Sequence, residues 1–355
     1  MGKRKTPPEL QALLNAKVPV YSISRINTFN ECPYSYYLSY IKKQKGINNV
    51  YAVLGGKMHD VLENIVLDKA TEADLLPELN TALEDLEIAN LHFPKDKKGG
   101  NNIRDKWIRD MTHFANTFVR PKGKLLVEIF ILYMIYDTRY MQGYIDLIKH
   151  NKDGTVSLFD WKSSSLFSGS KIKEAGRQLA FYAMAMEALG YKVRDVAWIM
   201  LKYVDCVFEG RSKSKKKITK TLSRGRMIDE IRPYLEKDLD DLDIDDLDKD
   251  FMLYAAREAN SLDSLPEEVK SKYKITPCVK YYELNDDIKA ETLEYINKTI
   301  DIIESKDPKD KGEWPAKAEH SDDLFFCLNL CDYRNQCVYL KRRKEFANRE
   351  KNLGW

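Results

Sequence analysis

The chain has 355 residues, 43% of them hydrophobic, and its 58 Lys and Arg nearly balance 55 Asp and Glu, leaving a formal charge of +3. That length and composition exclude a disordered tail and leave room for one elaborated domain, or two, held together without disulfides. No apolar run reaches the length of a membrane span, and the basic start, Met1 to Lys17, has no apolar core after it; the expected setting is cytoplasmic and reducing, where six cysteines suit metal binding or free thiols better than disulfides.

The first expected elements lie within Ser22–Ile41, where Ser24 can cap a short helix and Pro33 starts a second, with Tyr34, Tyr37 and Tyr40 at helical spacing. Leu54–Ala70 reads as a helix entered through Gly55 and Gly56. The run Gly55-Gly56-Lys57-Met58 is no P-loop, since the upstream glycine and the Ser or Thr are missing, so no helicase motor is expected. From Glu72 to Phe118 the pattern stays helical, broken by a polar, glycine-containing loop at 94–102.

The period then changes. Residues 124–136, 140–150 and 155–164 are β-branched or aromatic runs, and Asn151–Gly154 joins the last two as a hairpin turn. A helix follows over 171–190, with Gly190 at its C-terminal cap, and then a strand over 193–204. Strand, strand, strand, helix, strand implies a mixed α/β core.

Beyond it, charge is segregated. Residues 211–226 carry Arg211, Lys213, Lys215, Lys216, Lys217, Lys220, Arg224 and Arg226, whereas 238–250 hold eight aspartates and one lysine. The basic run is either a solvated loop or a phosphate-contacting surface; the acidic one is not expected to touch DNA.

In Leu158-Phe159-Asp160-Trp161-Lys162, residues two apart share a strand face, so Asp160 and Lys162 project together, with Asp146 across the hairpin. Phosphodiester hydrolysis needs such a mixture: hard oxygen ligands for Mg²⁺ or Mn²⁺ and an ammonium group to orient water or offset developing charge. Glu128 in the preceding strand and His59 in the early helix are candidates to complete the ion's shell. Each residue also has a plainer reading, as exposed hairpin charge or as a helix-surface pair of His59 with Glu63. Cys327, Cys331 and Cys337 form C-x3-C-x5-C, and Cys32 stands alone near the start. Four thiolates suit zinc or an iron-sulfur cluster, and spacing does not choose between them. Cys206 and Cys278 are expected only to pack.

The ordered set of Gly143–Ile148, Leu158–Ser164 and a helix containing Gln178-Leu179-Ala180-Phe181-Tyr182 resembles the PD-(D/E)xK nuclease superfamily, in the branch that includes the RecB and AddB nuclease domains and the CRISPR-associated RecB-type exonucleases. The resemblance runs from about Ser22 to Cys337, with 65–120 and 205–320 matching nothing specific. It implies a restriction-endonuclease-like core, a mixed central sheet flanked by helices, with helical insertions and an iron-sulfur region formed by the two ends of the chain. It makes Asp146 the motif-two aspartate, Asp160 and Lys162 the acid and lysine of the D/E-x-K element, and Gln178 and Tyr182 the Q-x-x-x-Y pair; His59 becomes the early histidine ligand and Glu128 the upstream glutamate. Cys32, Cys327, Cys331 and Cys337 resemble the family's iron-sulfur staple, which implies a [4Fe-4S] cluster with zinc as the alternative, although three residues separate Cys327 from Cys331 where the family has two.

The expected organisation is an N-terminal helical segment (1–50), a helical region bearing the metal-ligand histidine (51–125), the nuclease core (126–204), a variable charged insertion (205–320) and the cysteine cluster with a basic tail (321–355). The expected function is a metal-dependent deoxyribonuclease, an exonuclease on single-stranded or free DNA ends, with Lys213, Lys215, Lys216, Lys217, Lys220 and Arg224 on DNA. A separate helicase or recombination protein is the expected partner, and no membrane. The alternative is a noncatalytic DNA-binding or assembly subunit on the same fold.

Overall fold

The computed structural model describes residues 5–136, 138–211 and 216–352. Helix α1 (Pro8–Asn15) precedes the short strand β1 (Val20–Tyr21) and α2 (Ile23–Glu31). The cap of α2 is Ser22 and not Ser24: Ser22 is the last extended residue, and its hydroxyl accepts from the Arg25 N–H at 3.1 Å, while Ser24 already lies inside the helix. Pro33 opens α3 (Pro33–Tyr36) as expected, and the chain continues as a π turn through Ile41. Helix α4 (Val50–Val66) starts earlier than Gly55 because the Asn49 side chain caps it, accepting from the Ala52 N–H at 3.0 Å; both glycines therefore sit within the helix. Helices α5 (Leu75–Ile88) and α6 (Asn102–Thr117) flank the polar loop.

Strands β2 (Lys124–Tyr136), β3 (Arg139–His150) and β4 (Val156–Lys162) form an antiparallel meander. Its second turn uses Gly154 at φ 82°, whose N–H reaches the Asn151 carbonyl at 3.2 Å. Helix α7 (Ser170–Ala188) then carries the chain across to β5 (Val193–Glu209), which runs parallel to β4. The remaining elements are β6 (Lys217–Ser223), α8 (Met227–Asp240), α9 (Asp246–Ala259), α10 (Glu267–Lys270), β7 (Lys274–Tyr281), α11 (Asp286–Glu304), α12 (Lys317–His320) and α13 (Val338–Asn352).

Among the described residues these strands make one mixed seven-stranded sheet. Leu147–His150 pair with β2 and β4 at once, so those strands lie on opposite edges of β3, and Ala197–Ile199 likewise hold β4 and β7 on opposite edges of β5. The far half of β5, past the end of β4, pairs with β6 instead.

Apolar residues sort into three cores. One face of the sheet packs α2, α3, α7, α11 and the C-terminal cysteine segment around Ile148, Leu158 and Trp198. The other face packs α4, α5 and α6 around Leu147, Trp161 and Leu201. The extended half of β5 builds a third core with β6, α8, α9 and α10. Helices on both faces of a mixed sheet are the restriction-endonuclease-like arrangement. No described helix is long and apolar enough to cross a membrane.

Between Ile199 and Val204 the pairing of β5 with β7 slips, and Lys202 falls in this irregular stretch, only 7% exposed. Burial drives its ammonium group down to about 8 from an ordinary 10.5, with nearby Asp110 offsetting only part of the loss. The Asp110 carboxylate is already occupied by Lys106 at 2.8 Å, the Ser223 hydroxyl at 2.6 Å and the Gly225 N–H at 2.9 Å. Because the unfolded chain binds this proton more tightly, Lys202 destabilises the fold fully below pH 8, and the penalty fades as pH rises toward 10.5. Lys202→Met is therefore expected to gain up to about 3 kcal/mol at pH 7. Denaturant titrations at pH 7 and at alkaline pH should show the gain over wild type shrinking as pH rises.

Candidate active site

Four elements supply the site: α4, β2, β3 and β4, with α7 closing one side. On β3, Asp146 is 7% exposed and stands opposite Asp160 of β4 by the register of the strands. The β3–β4 ladder stops at Phe159, leaving the Trp161 N–H without a strand partner, and Asp146 Oδ2 accepts it at 2.9 Å. The same residue's carbonyl meets His59 Nε2 at 2.9 Å. A carbonyl only accepts, so Nε2 carries the proton, and Nδ1 is turned toward Asp146 Oδ2, 3.4 Å away. Burial works against a charge on His59, but the facing Asp146 outweighs it and raises the imidazole above its ordinary value. Burial likewise opposes ionisation of Asp146, and His59, Lys162 and the Trp161 N–H reverse that effect, holding the carboxyl below the usual range.

Glu128 enters through a distortion that alternation cannot reveal. It sits in mid-strand at φ 51°, in the left-handed region that a side chain with a Cβ rarely occupies. The register on either side, Val127↔Leu147 and Ile129↔Ile145, places Glu128 directly opposite Asp146. Around this pair the strands exchange faces. Leu125 and Val127 pack with α4–α6, whereas Ile129 and Ile131 pack on the other side, and β3 makes the same exchange between Leu147 and Ile145. The kink brings one donor atom from each of His59, Glu128 and Asp146 within 4.8 Å of the others. Imidazole nitrogen plus carboxylate oxygen is a donor set that suits Mn²⁺ and Mg²⁺.

Asp160 is not part of that tight group. Fully buried, it is pushed upward by desolvation, and its Oδ2 lies 2.6 Å from Lys162 Nζ. Lys162 also donates to Gln178 Oε1 at 3.3 Å, and Gln178 Nε2 donates to the Tyr182 hydroxyl at 2.7 Å. Burial and the neighbouring carboxylates raise Tyr182 far above its ordinary value, so it remains a neutral phenol. Helix α7 can come this close because β3 carries Gly143, where a Cβ would stand 2.8 Å from the Tyr182 ring. The expected residues thus assemble as a three-donor cluster and an adjoining chain, Asp160–Lys162–Gln178–Tyr182.

Cys32, Cys327, Cys331 and Cys337 line one recess between α3 and the C-terminal segment, whereas Cys206 and Cys278 are buried elsewhere along β5 and β7. Backbone N–H groups point at two of the four sulfurs, Lys317 at Cys32 and Tyr333 at Cys331, each at 3.4 Å. The basic run is only partly available. Lys213 and Lys215 lie outside the described residues, and Lys216 and Lys217 are exposed. Lys220 rests over the Tyr234 ring at 4.5 Å, and Arg211 pairs with Asp238 and Asp241 of the acidic run. Arg224 does not fit the expected DNA surface: it is 7% exposed, donates to Thr117 at 2.9 Å and covers the Phe114 ring, because it anchors the third core to α6.

A mixed sheet with helices on both faces thus brings one imidazole and two carboxylates together. The family model described as the PD-(D/E)XK nuclease superfamily matches residues 20–338, and the chain belongs to that superfamily. Its activity is metal-dependent nucleolysis, with Mg²⁺ or Mn²⁺ as the ion and DNA as the substrate. No curated protein matches the chain.

Left-handed backbone at Glu128 reverses an ordinary ranking. In a regular strand Gly is the poorer residue, but here Glu128→Gly should be more stable than Glu128→Ala by about 1 kcal/mol, since only glycine accepts this conformation without strain. Paired denaturation curves give the difference, and both variants should bind Mn²⁺ more weakly than wild type in calorimetric titration.

Proposed function

We propose that the protein is a Mg²⁺- or Mn²⁺-dependent deoxyribonuclease acting as an exonuclease on single-stranded DNA or free DNA ends. The observation that carries this reading is the convergence of His59, Glu128 and Asp146 beside the Asp160–Lys162–Gln178–Tyr182 chain. His59 Nδ1, Glu128 and Asp146 would hold the ion, which when bound polarises a phosphoryl oxygen and acidifies water. The chain's own groups do the positioning. Trp161 fixes the tautomer of His59 and one oxygen of Asp146. Lys162 is gripped by Asp160 and Gln178 so that its ammonium group is preorganised for charge developing on the phosphate. Tyr182, a neutral hydroxyl, accepts from Gln178 and keeps its amide oxygen aimed at Lys162.

A single-stranded substrate is supported by the surface beside the site. A groove of about 870 Å³ between α2, α7, α11 and the cysteine segment presents the half-buried rings of Tyr40, Phe167, Tyr295 and Phe326 among Asn, Ser and Thr side chains and the charged Glu31, Lys171, Glu174, Arg177 and Asp332. At Ser24 it meets a recess lined by Gln178 and Tyr182. Half-buried aromatic rings among polar groups are where unstacked bases would stack, with Lys171 and Arg177 as the nearest cations for their phosphates. Lys216, Lys217 and Lys220 offer phosphate contacts farther along the sheet.

The four clustered thiols are read as ligands of an iron-sulfur cluster. All four line a single recess, which suits one shared metal centre. Burial pushes the Cys327 thiol to about 11 and the Cys331 thiol to about 12, so they stay protonated unless bound metal replaces the protons. The two N–H groups aimed at sulfur would stabilise the bound thiolates. The cluster's place is structural, tying the two ends of the nuclease together.

Anaerobically purified protein should be brown, contain iron and sulfide instead of zinc, and shorten linear single-stranded DNA with Mn²⁺ or Mg²⁺ but not with EDTA. Asp160→Asn and Lys162→Met should each lower the rate by at least about a hundredfold without loss of iron. Salt-sensitive DNA binding with no metal-dependent cleavage by wild type would mark a noncatalytic subunit instead.

A further inference from the structure

Helix α9 has two apolar faces. Leu253 and Ala256 point into the third core, while Leu247, Phe251 and Tyr254, at i, i+4 and i+7 on the opposite face, are 78, 70 and 60% exposed. Single exposed apolar residues are ordinary, but three in register on one helix face are an unburied stripe. Acid surrounds it: Asp246, Asp248 and Asp250 are all exposed. The nuclease site uses none of these residues.

A complementary surface exists on the same chain. Between α5, α6 and the loop joining them is a groove of about 680 Å³ whose walls include Leu83, Leu91, Phe93 and Pro94. Its rim is basic. Lys95 and Arg104 line it, and Lys97 and Lys98 are exposed on the same loop. Two acids stand nearby and are engaged: Glu87 faces Arg104 at 3.4 Å, and Asp96 turns its carboxylate onto the Lys98 and Gly100 N–H groups, both at 2.8 Å.

We propose that the α9 stripe of one copy docks in the α5–α6 groove of the next, so that the protein self-associates head to tail. An acidic helix with three apolar anchors matches a groove with an apolar wall and a net basic rim in size and in charge. The two surfaces differ and belong to different cores, and joined stripe to groove they make a heterologous contact that links successive copies. Nuclease sites in such an assembly stand in a fixed series, each copy offering a free α9 or a free groove at the ends unless the series closes.

Light scattering on purified full-length protein during gel filtration tests this. Wild type should form oligomers as concentration rises, and added salt should dissociate them. Phe251→Asp, which removes the anchor, and Lys95→Glu with Lys97→Glu, which reverses the rim, should each be monomeric, weakening association by at least about thirtyfold. Circular dichroism and retained nuclease activity establish that both fold, and Tyr254→Lys serves as a second stripe variant should Phe251→Asp melt early. Mixing the stripe variant with the rim variant should restore a one-to-one heterodimer and nothing larger, since each supplies one working surface. Monomeric wild type, oligomers indifferent to both changes, or a mixture that stays monomeric would each overturn the proposal.

Discussion

Trp161 sits where β4 has outrun its partner β3. Its N–H and carbonyl, which would otherwise be orphaned, are taken by Asp146 at 2.9 Å and His59 at 2.9 Å. An unpaired backbone group in a buried position costs free energy comparable to a lost hydrogen bond, so the Asp146 and His59 side chains are held by the fold's own need to satisfy its main chain. The Trp161 side chain, 1% exposed in the second core, fixes that backbone in turn. From there α4 must cross the sheet where His59 can reach, and the end of the β3–β4 ladder decides where Asp146 turns inward.

The same helix is also tied to the cysteine segment. Asn49 caps α4 and donates from its amide nitrogen to the Leu330 carbonyl at 2.9 Å. Arg334 donates to the Ile47 carbonyl at 2.7 Å, and Tyr333 to that of Gln44 at 2.9 Å. Gly46 is required in this strap, since a Cβ there would lie 2.6 Å from Asp332 Cβ. Residues almost three hundred positions apart thus set the start of α4, and through it His59, so the ordering of the chain's ends and that of the proposed ion site are one packing problem.

Much of this was legible in residue patterns, and what was not has physical reasons. Strands β2 to β4, the turn at Asn151–Gly154 and α7 with Gly190 beyond its end follow from local periodicity and turn chemistry, which tertiary contacts only reinforce. The start of α2 at Ser22 instead of Ser24, and of α4 at Asn49 instead of Gly55, is settled by contacts outside those segments, with strand β1 and the cysteine segment. Strands β6 and β7 and the irregular stretch at Lys202 depend on pairing with the far half of β5, which no local pattern specifies. Arg224 looked like one more cation in a basic run; its burial comes from α6, a hundred residues earlier. The left-handed Glu128 is the deepest omission. Strict alternation along β2 would predict one unbroken face, and the residue types carry no mark of the kink: Leu125 and Val127 share parity with Ile129 and Ile131 yet pack on opposite sides.

Strain of order 1–3 kcal/mol at one residue persists only where the surroundings enforce it, and here it delivers a carboxylate to its neighbours. Anomalous diffraction from a crystal soaked in Mn²⁺ examines that account at its centre. The ion should appear bound to His59 Nδ1 and to one oxygen each of Glu128 and Asp146, at about 2.0–2.2 Å. An ion held through His59 Nε2, or one coordinated without Glu128, would contradict it.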